Sequence, residues 1–366
     1  MPTTLAKARR TRLSDAMAEA GLDLLLVYGN AWQNDYLRYA TDFGILEGQA
    51  LALLRADGHV ALYLDSPLEA DRAGVECADV EVIHAPDLTG AVDRALDRSR
   101  NQRVGSAPAR LIPRRIAARR DGLSDQTALI DRLLMAKLPA EVDAIRRAAR
   151  LADEGYAVFR DAARPGRADY ELIAEIEAFY RAHGVDDNFQ IIGVGGPEVR
   201  GMAPPSGKRL KRGDLVTTEL TPCVEGYYAQ ICRTLVVGAP TSEQLGAFAL
   251  YRNAMEAGIA AVRSGVTAAD IARAENEVFR AHGLGDYVTD AYTRVRGHGV
   301  GLFADSKPHI LEDVTTRVDA GMTLIVHPNT YHPIVGYVVL GDVVVATPNG
   351  CEVLTATSRE LFRVGG

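Results

Sequence analysis

The apolar positions divide the chain into two dissimilar parts. From residue 10 the stretch RTRLSDAMAEA carries apolar residues at helical spacing and stops at Gly21, after which LDLLLVYG is apolar almost without a break. That is the pattern of an amphipathic helix followed by a buried strand. Further strands are predicted at ALALLRADG, HVALYLD and VEVIHAP, alternating with helical stretches. Residues 1–130 are therefore assigned to a small α/β domain. The charged helix LPAEVDAIRRAARLADEGYAVFRDAA comes next, linking this part to a second domain, residues 131–366, and beginning it.

The second part repeats itself. Gly166 begins a helical stretch ending in Arg181-Ala182-His183-Gly184, and Gly265 begins one ending in Arg280-Ala281-His282-Gly283, an offset of 99 residues. A β-hairpin follows each: RGDLVTTELTP with GYYAQICRTLVVG, then AGMTLIVHPNTY with VGYVVLGDVVVAT. Within the hairpins, Gly213 to Glu219 matches Gly321 to His327 in spacing. Two copies of a helix-plus-hairpin unit imply a pseudo-two-fold domain whose sheets face one concave site, with Glu219 and His327 looking at each other across it.

Composition narrows the classes. With 366 residues, 47% of them hydrophobic, the chain has enough apolar material for two cores. A net charge of −7 supplies no dominating basic surface, so nucleic acid is not an expected partner. The N-terminal MPTTLAKARRTRLSDAM is charged where a secretory signal is apolar, and no apolar stretch is long enough to span a bilayer, so a cytoplasmic protein without membrane partners is expected. Cys77, Cys223, Cys232 and Cys351 are widely spaced, which suits buried thiols rather than disulfides or zinc.

The runs GDLVTTEL…GYYAQICRT, GHGVGL, AGMTLIVHPNTY and GYVVLGDVVVATPNGCEVLT, in this order, resemble the catalytic domain shared by prolidase, aminopeptidase P, methionine aminopeptidase and creatinase. With the N-terminal α/β domain, the resemblance covers essentially the whole chain. It implies an α+β architecture, an N-terminal creatinase-like α/β domain plus a C-terminal pita-bread domain, and by family analogy a homodimer. The segment Trp32-Gln33-Asn34-Asp35-Tyr36 lies where relatives place a loop that reaches a neighbouring subunit.

The metallopeptidases of this family hold two cations with two aspartates, a histidine and two glutamates. Carried over by motif, the aspartate positions hold Glu219 and Gln230, the histidine is His298, and the glutamate positions hold His327 and Gly341, with Asp342 beside the latter. Asp342 should turn away from the site, because adjacent strand residues point to opposite faces. The second active-site histidine of the family is Asp305 here. Creatinase, the metal-free precedent, also differs: its histidine is Met202 here, and its glutamates correspond to Cys232 and Gly341.

One carboxylate where relatives have four cannot neutralise two neighbouring dications. No metal or other cofactor is therefore assigned, and the expectation is a metal-independent hydrolase, not a typical dinuclear metallopeptidase. Its substrate would be a small, neutral or anionic non-peptide molecule cleaved at a C–N bond. Glu219, His298 and His327 are the expected catalytic residues, since a Glu/His set supplies both a base for water and an acid for the leaving nitrogen. Tyr228, Gln230, Tyr331, His332 and Arg296 are the expected substrate contacts. Arg200, Arg233 and Arg294 also lie near the motifs and favour neutral or anionic ligands. Three other readings stay open: a mononuclear metal site on Glu219, His298 and His327, a lyase using the same residues, and an inactive binding module of the same fold.

Overall fold

The computed structural model describes residues 4–77, 79–98, 101–118 and 122–365. The chain divides into two compact units, Met1–Leu134 and Met135–Gly366. In the first, strands β1 (Leu24–Asn30), β2 (Gln49–Arg55), β3 (Val60–Leu64), β4 (Glu81–His84), β5 (Val104–Ala107) and β6 (Ser124–Asp125) form one mixed sheet in the order β4-β3-β2-β1-β5-β6. Helices α1 (Thr4–Glu19), α2 (Asp35–Thr41), α3 (Pro67–Glu76), α4 (Leu88–Asp97), α5 (Arg114–Ala117) and α6 (Thr127–Met135) accompany it. β1 is apolar from Leu24 to Gly29 because it lies inside the sheet with both faces covered. Leu24, Leu26 and Tyr28 pack with Val92 and Leu96 of α4, while Leu25 and Val27 are buried on the opposite face.

The second unit is built of two five-stranded sheets and a short hairpin. One sheet contains β7 (Asp187–Gly195), β8 (Leu215–Val224), β9 (Tyr227–Tyr228), β10 (Ile231–Val237) and β18 (Phe362–Val364), ordered β18-β10-β8-β7 with β9 against β8. The other contains β11 (Gly297–Gly299), β12 (Ser306–His309), β13 (Thr323–Val326), β16 (Asp342–Ala346) and β17 (Cys351–Val353), ordered β12-β11-β13-β16-β17. β14 (Thr330–His332) and β15 (Gly336–Val338) form the hairpin. Helices α7 (Pro139–Ala162), α8 (Asp169–Ala182), α9 (Ser242–Ala261) and α10 (Ala268–Ala281) complete the unit. No helix among the described residues is long and apolar enough to cross a membrane.

The repeat is visible in local chemistry. α8 and α10 begin after Gly166 and Gly265, whose positive φ angles of 86° and 96° suit a residue without Cβ. The backbone N–H of Gly166 then pairs with Leu210 and that of Gly265 with Val318. Both helices end on a histidine whose Nδ1–H donates to a carbonyl one turn back, His183 to Phe179 and His282 to Val278, each at 2.7 Å. Each copy delivers a strand, β8 or β13, toward the junction of the sheets. There Cys232 of β10 exchanges two backbone hydrogen bonds with Gly341, at 3.1 and 2.9 Å, just before β16.

Candidate active site

Glu219 lies in the middle of β8, opposite Ile191 of β7 and Cys232 of β10. A directly opposed antiparallel pair points to one face, so the Glu219 carboxyl group and the Cys232 thiol meet. The thiol donates to the carboxylate, and Asn329 Nδ2 donates to Glu219 Oε1 at 2.9 Å. Asn329 is itself fixed: its Oδ1 accepts from the Leu340 N–H at 3.1 Å, and its carbonyl oxygen accepts from Arg296 at 2.9 Å. The Glu219 side chain remains partly accessible, but protein encloses its carboxyl group. Burial pushes that group up to about 7, against the two hydrogen bonds that favour its charged form, and the charge of Asp305 adds to the rise. Near neutral pH, Glu219 is therefore divided between acid and carboxylate.

Replacing Asn329 by alanine should raise the titration of Glu219 further, because a donor to the carboxylate is lost. It should also cost about 1–3 kcal/mol of stability, since the buried Leu340 N–H loses its acceptor. A carboxyl-carbon NMR titration of Glu219 and urea unfolding check both. An unmoved titration would show that Asn329 does not tune this group.

The two histidines come from the other sheet. His298 is in β11 and His327 directly follows β13, its backbone N–H bonded to the Arg296 carbonyl at 3.0 Å. Their rings meet edge to face with centroids 5.4 Å apart. His298 Nδ1 lies 3.0 Å from the Gly299 carbonyl. A carbonyl only accepts, so the neutral ring carries its proton on Nδ1 and presents Nε2 as an acceptor. Burial lowers the His298 pKa, opposed by the charge of Asp305. Burial, with His298 beside it, pushes His327 down to about 3, so this ring is neutral, and its buried Nδ1 has no hydrogen-bond partner. At the margin Asp305 bonds His309 Nε2 at 2.9 Å and stands 3.8 Å from His298 Nδ1.

Gly341 joins the two halves. A Cβ built there would stand 2.7 Å from His327 Cβ and 3.1 Å from Cys232 Sγ. His327 and Cys232 thus pack on the same bare backbone, and Cys232 touches Glu219. Glu219 makes no hydrogen bond to either histidine.

The expected substrate contacts divide. Gln230 is buried beside Cys232, with Nε2 3.4 Å from Sγ. Tyr331 lies in an aromatic cluster with Cys232, Tyr337, Tyr287 and Tyr292. Tyr228 does not join them, because the strand breaks at Ala229 and Gln230, and its hydroxyl donates to Asp187 at the sheet edge, 2.6 Å away. His332 is at the hairpin turn, where Nδ1 accepts from the Ile334 N–H at 3.3 Å. Arg296 requires correction as a substrate contact. It is fully buried, and its donors are taken by Asn276 and by the carbonyls of Val295, Asn329 and Thr293. Its work is to fix Asn329. The specific clamp of Asn329 and Cys232 on Glu219 was not marked out by motif spacing.

Comparison with known proteins places this geometry. The family described as Metallopeptidase family M24 matches residues 143–348, and the Creatinase/Prolidase N-terminal domain matches residues 9–134. The chain belongs to metallopeptidase family M24. It is 30% identical to an Xaa-Pro dipeptidase of Pyrococcus furiosus over 236 residues, 64% of this chain and 67% of that protein. It is 25% identical to an uncharacterized peptidase, YqhT, of Bacillus subtilis over 361 residues, 96% of this chain and 98% of that one. Among solved structures, dipeptidase PepE from Mycobacterium ulcerans matches with a TM-score of 0.83 and 26% identity over 100% of both chains. An X-Pro aminopeptidase from Thermotoga maritima matches with a TM-score of 0.87 at 22% identity, covering 97% of this chain and 99% of that one, and shows the shared fold. The α+β architecture of a creatinase-like domain followed by a pita-bread domain is therefore that of this chain.

M24 membership corrects the functional expectation. The relatives are named as dipeptidases and peptidases of a metallopeptidase family. That overturns the metal-independent hydrolase of a non-peptide C–N bond, and with it the setting apart of this chain from metallopeptidases. The side chains themselves were tested for a fit to paired cations. The five positions that the resemblance assigns to metal ligands carry Glu219, Gln230, His298, His327 and Gly341, and Gly341 has no room for a carboxylate unless His327 and Cys232 move. No group of three or more His, Cys, Asp or Glu side chains among the described residues is arranged to hold a metal ion. In this arrangement the donors do not fit two adjacent divalent ions, which require several anionic oxygens.

Proposed function

We propose that this M24 member hydrolyses the peptide bond of short peptides, of the Xaa-Pro kind that its relatives are named for, with Glu219 moving the proton. The observation that carries this reading is one carboxyl group clamped by Asn329 and Cys232 at the junction that holds the edge-to-face imidazoles of His298 and His327, with burial raising it to about 7. As carboxylate, Glu219 takes a proton from water while the water oxygen bonds to the peptide carbon. As acid, it returns that proton to the nitrogen while the C–N bond breaks. The protein is left as it began. His298, whose Nε2 can accept a hydrogen bond, suits the attacking water or the ammonium group of the peptide, and neutral His327, with an unpartnered buried Nδ1, suits a polar group of the bound substrate.

Incubation with a panel of Xaa-Pro and Xaa-Ala dipeptides, with and without added divalent metal, should release free amino acids measurable by mass spectrometry. Absence of release from every short peptide would defeat the reading.

A further inference from the structure

The arginines near the motif segments have different fates. Arg233 is buried against Asp342, Arg294 pairs with Asp290 and Asp313, and Arg296 is used up on carbonyls and Asn276. Arg280, in the 370 Å³ cleft it shares with Arg294, is likewise matched by Glu277 and Glu312. Arg200 differs. It is exposed, and among the described residues no carboxylate lies within ion-pair distance of it.

Its position is nevertheless defined. The guanidinium carbon lies 5.3 Å from the ring centre of Tyr331 and 5.9 Å from that of Tyr292. Those rings stack on each other at 5.6 Å with 10° between their planes. The loop carrying Arg200 is fastened to the β14–β15 hairpin twice: the Tyr331 hydroxyl donates to the Pro197 carbonyl at 2.9 Å, and the Tyr337 N–H donates to Val199, also at 2.9 Å. The same aromatic cluster contains Cys232, whose thiol touches Glu219. A cation without a counter-charge, preset on an aromatic wall that ends at the acid/base group, lacks only an anion. A guanidinium held by its face keeps its edge N–H groups free for bidentate bonding to a planar anion.

We propose that Arg200, on its Tyr292–Tyr331 platform, is a subsite for a carboxylate group of the substrate. This rests on the peptidase reading. The carboxylate is either the free C-terminus of the peptide or an acidic side chain, and three probes separate them: Ala-Pro, Ala-Pro amide and Glu-Pro amide. In the wild type, KM for Ala-Pro should be about 10- to 100-fold below that for Ala-Pro amide. Arg200→Gln should remove that difference with kcat changed by no more than a few-fold, and Arg200→Lys should restore part of it. A low KM for Glu-Pro amide instead assigns the subsite to a side chain.

Calorimetric binding of the same peptides to wild type and Arg200→Gln separates the two readings. Cleavage that is indifferent to Arg200 overturns the subsite and leaves the peptidase intact. Arg200-dependent preference in binding without cleavage removes the peptidase and keeps the subsite. Neither cleavage nor binding overturns both.

Discussion

Glu219→Gln is expected to lower kcat for short peptides about a thousandfold, within the 10²–10⁴ range of a lost general acid–base group, while the fold survives. Glutamine keeps the shape and can still accept from Asn329, so β8 and its neighbours lose no packing. What disappears is the group that burial raises to about 7, whereas burial lowers both imidazoles. The stability readout guards against a trivial explanation. Below the ordinary glutamate value of 4.5 both folded and unfolded chains hold this proton. As pH rises from there to about 7 the unfolded chain releases it first, so Glu219 destabilises the wild type progressively, and the penalty is full above 7. Removing the titration should make Glu219→Gln gain on the wild type between pH 5 and pH 8, by up to roughly 3 kcal/mol if the full rise is realised. Parallel urea unfolding at the two pH values measures this. Undiminished turnover in the variant would exclude Glu219 from the chemistry.

The fold was legible because its signals are redundant. A 99-residue offset recurs in glycines that open the helices and in histidines that close them, and the structure shows why both copies need them: positive φ at Gly166 and Gly265, Nδ1 caps at His183 and His282. The gathering of Glu219, Gln230, Cys232, His298 and His327 at one junction followed from motif order. What side chains do there was less legible. Proximity of Arg296 to the motif suggested a ligand contact, yet its direction is inward, onto four acceptors that no spacing reveals. Tyr228 and Gln230 were both expected at the substrate, and they part where β9 ends and β10 has not begun. The activity was misjudged for another reason. Counting acids at five positions weighed local charge, whereas the match over residues 143–348 puts the chain in a metallopeptidase family.

Asp342→Ala should destabilise the protein by about 3–5 kcal/mol, the range for removing one partner of a buried ion pair. Alternation turns Asp342 away from the site next to Gly341, and there it accepts from Arg233 at 2.7 Å and from Arg359 at 2.7 Å. Arg233 is fully buried and cannot recover water, so its charge would remain without a counter-ion. The arrangement also fixes the junction of the sheets, because Arg233 Nη1 donates to the Gly341 carbonyl at 2.8 Å and to the Cys232 carbonyl at 2.9 Å. These are the residues on which His327 packs and which Glu219 touches. Arg233→Leu in the same chain should recover part of the loss by removing the stranded cation, giving a coupling energy of opposite sign to the single effects. Urea midpoints of the single and double variants measure it. A loss below about 1 kcal/mol for Asp342→Ala, the level of an exposed pair, would show that water reaches Arg233 and that the junction does not depend on this ion pair.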